Sequence, residues 1–259
     1  MSMCGRYAAA TPVSKLVEIF NAELDPRLAQ GQAGPGGLAE WTHPRWNIAP
    51  TDQVAAVIER ERDDDVKRLL VGLHWGLVPS WAQDRSGAAR LINARAETVA
   101  SKPSFRKAFA ARRCLIPADG YYEWQQLAEP GGIKRSHPRK QPYFIYPASN
   151  EPESDIMAMA GIYEYWHDPL ALDGTDPWLV SCSILTTSAS DDLGIVHDRM
   201  PVQVRRENWA AWLDPAMTNP ELARELMWFP EPGAMHARQV STAVNSVRND
   251  GPGLIEAIS

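Results

Sequence analysis

Cysteine is scarce in this chain. Three residues, Cys4, Cys114 and Cys182, stand far apart among 259. That spacing excludes a disulfide framework and a four-cysteine zinc site, and fits a reducing compartment, the cytoplasm. No run approaches the roughly 20 apolar residues of a membrane-spanning helix, and no charged-then-apolar leader opens the sequence. The three cysteines and six histidines show no ligand spacing, so no metal and no cofactor are expected. The net charge of −6 argues against a protein that binds nucleic acid by bulk electrostatics.

What is present is more telling. Apolar residues make up an ordinary 44%, and ten tryptophans are many, available for packing or for stacking on bases. The charge is uneven. From Arg85 to Arg113 the chain carries Arg85, Arg90, Arg95, Lys102, Arg106, Lys107, Arg112 and Arg113 against the lone acid Glu97, whereas acids crowd 59–65. A basic stripe on an acidic body suits a local phosphate track, or simply a solvated face.

The strands expected are Val54–Ile58, Leu69–Trp75, Gln141–Tyr146, Ile156–Trp166 and Trp178–Thr187, with the apolar Ile156–Trp166 central. Val202–Val204 reads as a further strand, and 240–247 as a last strand and turn. Thr11-Pro12 reads as a helix cap before Val13, Leu16, Val17 and Phe20 at helical spacing. A helical segment is expected from Leu91 to Thr98, with Asn93 as its cap. Further helices are expected over 101–113, 207–213 and 221–229. Residues 30–40 form a glycine-rich loop too irregular to cradle phosphate, and 126–141 a long polar loop. Without repeats or linkers, the chain reads as one α+β domain, 1–259, with a largely antiparallel, curled, barrel-like sheet flanked by helices.

The opening residues, Met1-Ser2-Met3-Cys4-Gly5-Arg6-Tyr7, carry the chemistry. Were Met1–Met3 removed, Cys4 would hold a free α-amine beside its thiol. That pair condenses with an aldehyde to an imine, which the thiol then closes to a five-membered ring. An α-amine of pKa about 7.7–8.0 is roughly a tenth neutral near pH 7, while lysine is under about a thousandth neutral. Ring closure is intramolecular, which adds a large effective molarity. Gly5 permits close backbone approach, and Arg6 suits an anionic substrate. The plain alternative is a cysteine that merely lies near a start codon.

Six ordered segments belong together: Cys4-Gly-Arg-Tyr7, Asn47-Ile-Ala-Pro50, Trp75-Gly-Leu-Val-Pro79, Asn93-Ala-Arg-Ala-Glu-Thr98, Ala118-Asp-Gly-Tyr-Tyr-Glu-Trp124 and His197-Asp-Arg-Met-Pro201. This order resembles the SRAP (SOS-response-associated peptidase) family over nearly the whole chain. The resemblance implies binding of single-stranded DNA and covalent capture of abasic sites as a thiazolidine on the N-terminal cysteine. It implies Cys4 as nucleophile and Asn93 near the reacting sugar. It makes Glu123 a general acid/base, and His197 the group that protonates the sugar ring oxygen, with strand β-elimination within its reach. Arg6 and Arg95 would hold phosphates, Pro50 and Trp81 would form a wedge under neighbouring bases, and Thr186 and Arg199 would add DNA contacts. The implied partner is abasic single-stranded DNA, met by a monomer with no membrane attachment. Histidine is poised near neutral pH for such proton transfer, and a carboxylic acid tuned upward among aromatics suits a dehydration. Family members encode cysteine second; here Met1-Ser2 precede Met3. The competing expectations are an N-terminal-nucleophile peptidase using the same Cys4 and a non-catalytic single-strand reader.

Overall fold

The computed structural model describes residues 5–25, 40–62, 65–127, 139–148, 156–172, 176–189, 193–194 and 196–258. Cys4, nearly all of the glycine-rich stretch 30–40, and 128–138 of the polar loop lie outside the described residues. The strands in chain order are β1 (Tyr7–Ala9), β2 (Glu23–Leu24), β3 (Arg45–Ile48), β4 (Gln53–Arg62), β5 (Asp65–Trp75), β6 (Asn93–Arg95) and β7 (Arg113–Ala118). They continue as β8 (Gly120–Gln126), β9 (Lys140–Pro147), β10 (Met157–His167), β11 (Trp178–Ser188), β12 (Arg199–Pro201) and β13 (Met235–Gln239). The helices are short: α1 (Val13–Phe20), α2 (Arg106–Ala111), α3 (Trp209–Leu213) and α4 (Pro220–Glu225).

Five strands close into a ring. β4 and β5 form a long antiparallel hairpin; β5 meets β11 in parallel at His74↔Ser181 and Trp75↔Cys182. β11 pairs with β10, β10 with β7, and β7 returns to β4 at Leu115↔Val57. Alternate residues face different cores, as the two-residue period of a strand requires. Ala55, Val57, Leu115, Ala160 and Ile162 pack with α1 and α3; Ala56, Ile58, Cys114, Ile116 and Met159 pack toward the second sheet. Burial on both faces explains why β10 is almost continuously apolar. The barrel-like α+β architecture agrees with the sequence expectation, and β10 is central between β11 and β7. The second sheet runs β13-β9-β8-β1-β3. Among the described residues no helix is long and apolar enough to cross a membrane.

Residues 76–92 make one excursion from a single edge. β5 ends with Trp75 opposite Cys182, and β6 begins with Asn93 opposite Ile184 on the same side of β11. Gly76 makes the exit possible: its φ is +136°, and a Cβ there would lie 2.8 Å from the Ala88 carbonyl oxygen.

Several expectations are corrected. Residues 91–98 are not a helix. Ile92, Ala94 and Ala96 are buried while Asn93, Arg95 and Glu97 are not, a two-residue alternation that completes the edge of β11. Asn93 is therefore a strand residue and not a cap. Thr11 does not cap α1; its hydroxyl donates to Asp119 Oδ1 at 2.6 Å, and Pro12 takes the cap position. The helix expected over 101–113 is confined to α2, because Arg113 already belongs to β7. The last strand is 235–239 rather than 240–247, and the segment Thr242–Asn245 is a 3-10 turn. Strand pairing on β11 falls at 199–201, before Val202.

Candidate active site

The N-terminal strand is held on both sides. Tyr7 pairs with Ile48 of β3 and with Tyr121 of β8, and the Tyr122 amide donates to the Arg6 carbonyl at 2.9 Å. Carried back, this register sets Gly5 opposite Glu123. Arg6 donates from Nη1 to Asn47 Oδ1 (2.8 Å) and to the Val244 carbonyl (2.9 Å), with its guanidinium 5.9 Å from the Trp124 ring. Asn47 is buried and its amide donates to the carbonyls of Val244, Ser246 and Asn249. The Asn47 side chain thus fastens the 244–249 turn beneath Arg6. Burial lowers the Arg6 pKa from its ordinary value, with the charge of Asp52 opposing.

Glu123 lies on β8 and is only 2% exposed. Its Oε2 is 3.9 Å from Nε2 of His197, which precedes β12. The Arg199 amide donates to His197 Nδ1 at 3.2 Å. The neutral ring therefore keeps its proton on Nε2, on the side of Glu123. The exposed carboxylate of Asp198 also lies 3.1 Å from Nδ1. Acid and imidazole are thus brought together, as a site that moves protons requires.

β6 brings Asn93 and Arg95 to the edge of β11, with Arg95 exposed and opposite Thr186. On the other side Thr186 pairs with Pro201 of β12. Thr186 is fully buried, so its side chain presents no surface to solvent; it lies beneath Arg199, whose Nη2 donates to its carbonyl at 2.6 Å. Arg199 is not an open cation either. It forms a two-pronged pair with Glu97, Nη1 to Oε1 at 2.7 Å and Nη2 to Oε2 at 3.0 Å. The hydrogen bond from Arg199 holds the Glu97 carboxyl below its ordinary pKa.

Pro50 is partly exposed in the β3–β4 turn. The turn is stapled to β5 by Thr51 N–H to Trp75 O (2.8 Å) and Trp75 N–H to Asp52 O (2.9 Å). Thr51 has a φ of +78°, rare for a β-branched residue and costly unless the surroundings enforce it. Trp81 is 63% exposed, whereas Trp75 is wholly buried and donates from Nε1 to the Ile92 carbonyl. Of the two tryptophans in this stretch, Trp75 is core and Trp81 is surface.

Glu97, Asn47 and Asp52 were not singled out by residue reasoning, though the first two stand inside the quoted motifs. Asp52 accepts from Arg45 and from the Ala49 amide, both at 3.1 Å, and so fixes the Pro50 turn. Cys114 and Cys182 are buried, and burial pushes both pKa values up. Among the described residues no group of three His, Cys, Asp or Glu is placed to hold a metal.

The closed ring, the paired N-terminal strand and the Glu123–His197 pair define a class: the chain belongs to the SOS response associated peptidase (SRAP) family, whose model matches residues 3–247. Among its relatives, the abasic site processing protein YoqW of Bacillus subtilis (strain 168) is 38% identical, covering 98% of this chain and 100% of that protein. The abasic site processing protein HMCES of Gallus gallus is 35% identical over 96% of this chain and 76% of its own length. Among solved structures, a Bacteroides thetaiotaomicron protein superposes with a TM-score of 0.71 at 24% identity, covering 99% of this chain and 100% of that one. A phage-related protein of Bordetella bronchiseptica gives 0.61 at 28% identity, covering 92% and 94%.

Proposed function

We propose that this chain, acting as one domain, captures abasic sites in single-stranded DNA as a covalent thiazolidine on Cys4. The observation that carries the reading is the buried Glu123, 3.9 Å from His197 Nε2, on the strand that pairs with Tyr7 and Ala8 shortly after the proposed nucleophile. An abasic sugar rests mainly as a closed hemiacetal. Protonated His197 gives its proton to the ring oxygen as the C1′–O4′ bond breaks, and the Glu123 carboxylate takes the proton of the C1′ hydroxyl, which frees the aldehyde. The Cys4 amine adds to that aldehyde, and Glu123 delivers the proton with which water departs, leaving an imine. The thiol sulfur then bonds to the imine carbon while its proton passes to the nitrogen. Atoms balance with water as the sole product lost. Asn93 orients the sugar by hydrogen bonding, and Arg6 and Arg95 hold the flanking phosphates. Pro50 and Trp81 offer apolar surfaces to neighbouring bases, and stacking of this kind tolerates any sequence. Arg199, tied to Glu97 and resting on Thr186, lends a partly compensated charge.

The test is incubation of the protein with single-stranded DNA bearing one abasic site, followed by denaturing electrophoresis and intact-mass analysis. A denaturation-stable adduct on a chain that begins at Cys4, absent from Cys4→Ala, is expected. A chain that keeps Met1–Met3 and still forms the adduct would overturn the ring chemistry. A second reading is a self-processing peptidase whose nucleophile is the same thiol. That reading predicts peptide turnover without any DNA adduct.

A further inference from the structure

Residues of the 78–91 stretch, together with Ser104, line an open cleft of about 530 Å³, within the range of small-ligand sites. Its buried lining is apolar: Val78, Pro79 and Ala88. Trp81 forms a wall and is largely exposed. Asp84, Arg90 and Ser104 supply polar groups around it. We propose that this cleft receives an unstacked nucleobase next to the lesion and reads its edge, with Asp84 accepting from an exocyclic amino group. The inference rests on the reading above and extends it from a sequence-blind wedge to a base-selective subsite.

Three observations converge. The loop is built rather than slack. The Val78 amide donates to Ser181 Oγ (2.8 Å), the Trp166 indole N–H to the Ala82 carbonyl (2.7 Å), and the Leu91 amide to the Ala88 carbonyl (2.8 Å). These bonds fix the backbone from which the exposed Trp81 indole projects. Second, the cleft is continuous along the chain with β6: Leu91 lines it, and Asn93 and Arg95 follow. Third, the charges suit a nucleotide. Arg85 and Arg90 are exposed and match a phosphate, while Asp84 would repel one and can accept only from a donor. Its Oδ1 already accepts the Ser86 amide at 2.8 Å, which fixes the carboxylate's orientation. Adenine, cytosine and guanine each carry an amino donor, and thymine carries none.

The experiment measures affinity by fluorescence anisotropy on the full chain, using strands with an unreactive tetrahydrofuran at the lesion position. Each neighbouring base is in turn adenine, cytosine, thymine or a second tetrahydrofuran. Deleting the base on one side should weaken binding roughly 5- to 100-fold. An amino-bearing base there should beat thymine by about 10-fold. Ser104→Trp, which fills the cleft, should remove the discrimination, and Asp84→Asn should reverse or erase the preference over thymine. Asp84 is at the surface, so its variant remains informative should Ser104→Trp fail to fold. Equal affinity for all neighbours in the wild type, or an unchanged preference in Asp84→Asn, overturns the proposal. Adduct formation on a true abasic strand is read in parallel. Its absence would sink the crosslinking reading while leaving the base preference to be judged separately.

Discussion

The two ends of the basic stretch 85–113 have opposite fates. Arg85, Arg90, Arg95, Lys102, Arg106 and Lys107 are exposed, and none forms an ion pair among the described residues. Arg113, at the far end, is 2% exposed. It donates to five carbonyls: Phe109 (3.0 Å) and Ala110 (2.6 Å) of α2, Trp212 (2.7 Å) of α3, and Asp214 (2.8 Å) and Met217 (2.7 Å) just beyond. Helix C-termini leave carbonyls without intrahelical partners and carry partial negative charge, so a guanidinium fork is a natural fastener there. Arg112 lies between the two fates, paired with Glu164 at 2.7 Å. A run of cations in sequence therefore says little until the acceptors around each are known. Those without an internal acceptor are the ones that the proposed reading assigns to phosphates.

The contrast can be broken at either end. Arg113→Ala leaves five carbonyls without their donor and should lower the free energy of unfolding by about 3–4 kcal/mol, read from urea denaturation. Arg113→Lys has three N–H donors for five carbonyls and should recover less than half of that loss. Arg95→Ala should leave the melting temperature unchanged. It should weaken binding to every strand alike and reduce the log–log salt slope by about 0.7, the share of one phosphate contact on a single strand. A large stability loss in Arg95→Ala would erase the distinction between the two ends.

The smallest effect is expected at Glu97, which stands between Arg95 and Arg199. Its side chain is nearly half exposed, so the pair should contribute less than about 1 kcal/mol. The folded-state pKa is depressed by Arg199, so this stability is present above the ordinary carboxylate value and lost as pH falls below it. Glu97→Gln should therefore be slightly less stable than wild type at neutral pH and equal to it in acid. The same change releases Arg199 from its partner and should steepen the salt dependence of strand binding, opposite in sign to Arg95→Ala.

Much of the ring was legible because its strands are apolar on both faces, and such runs announce themselves without knowledge of their neighbours. β6 was not. Ala94, Arg95, Ala96 and Glu97 all favour helices, and that propensity hid the alternation of Ile92, Ala94 and Ala96 with polar residues. A tertiary partner, the open edge of β11, decided the outcome. The tail misled for a similar reason: 235–239 pairs with β9 although its residues are mostly polar. In the site, Glu123 and His197, far apart in the chain, stand 3.9 Å from each other. The burial of Thr186 and the capture of Arg199 by Glu97 depend on contacts between segments distant in the chain, which no local pattern encodes.

The excursion of residues 76–92 starts and finishes on one edge of β11, with its feet separated there by the single residue Ser183. Loops with close-set ends can change length at little entropic cost. The barrel can thus treat this stretch as a cassette. Exchanging its inner residues alters what the rim touches while β5, β6 and β11 keep their alignment. Diversification of what this scaffold prefers to hold has, in that arrangement, a place to happen at the exposed residues 83–86, while the buried Leu77, Val78 and Ala88 keep the stretch anchored.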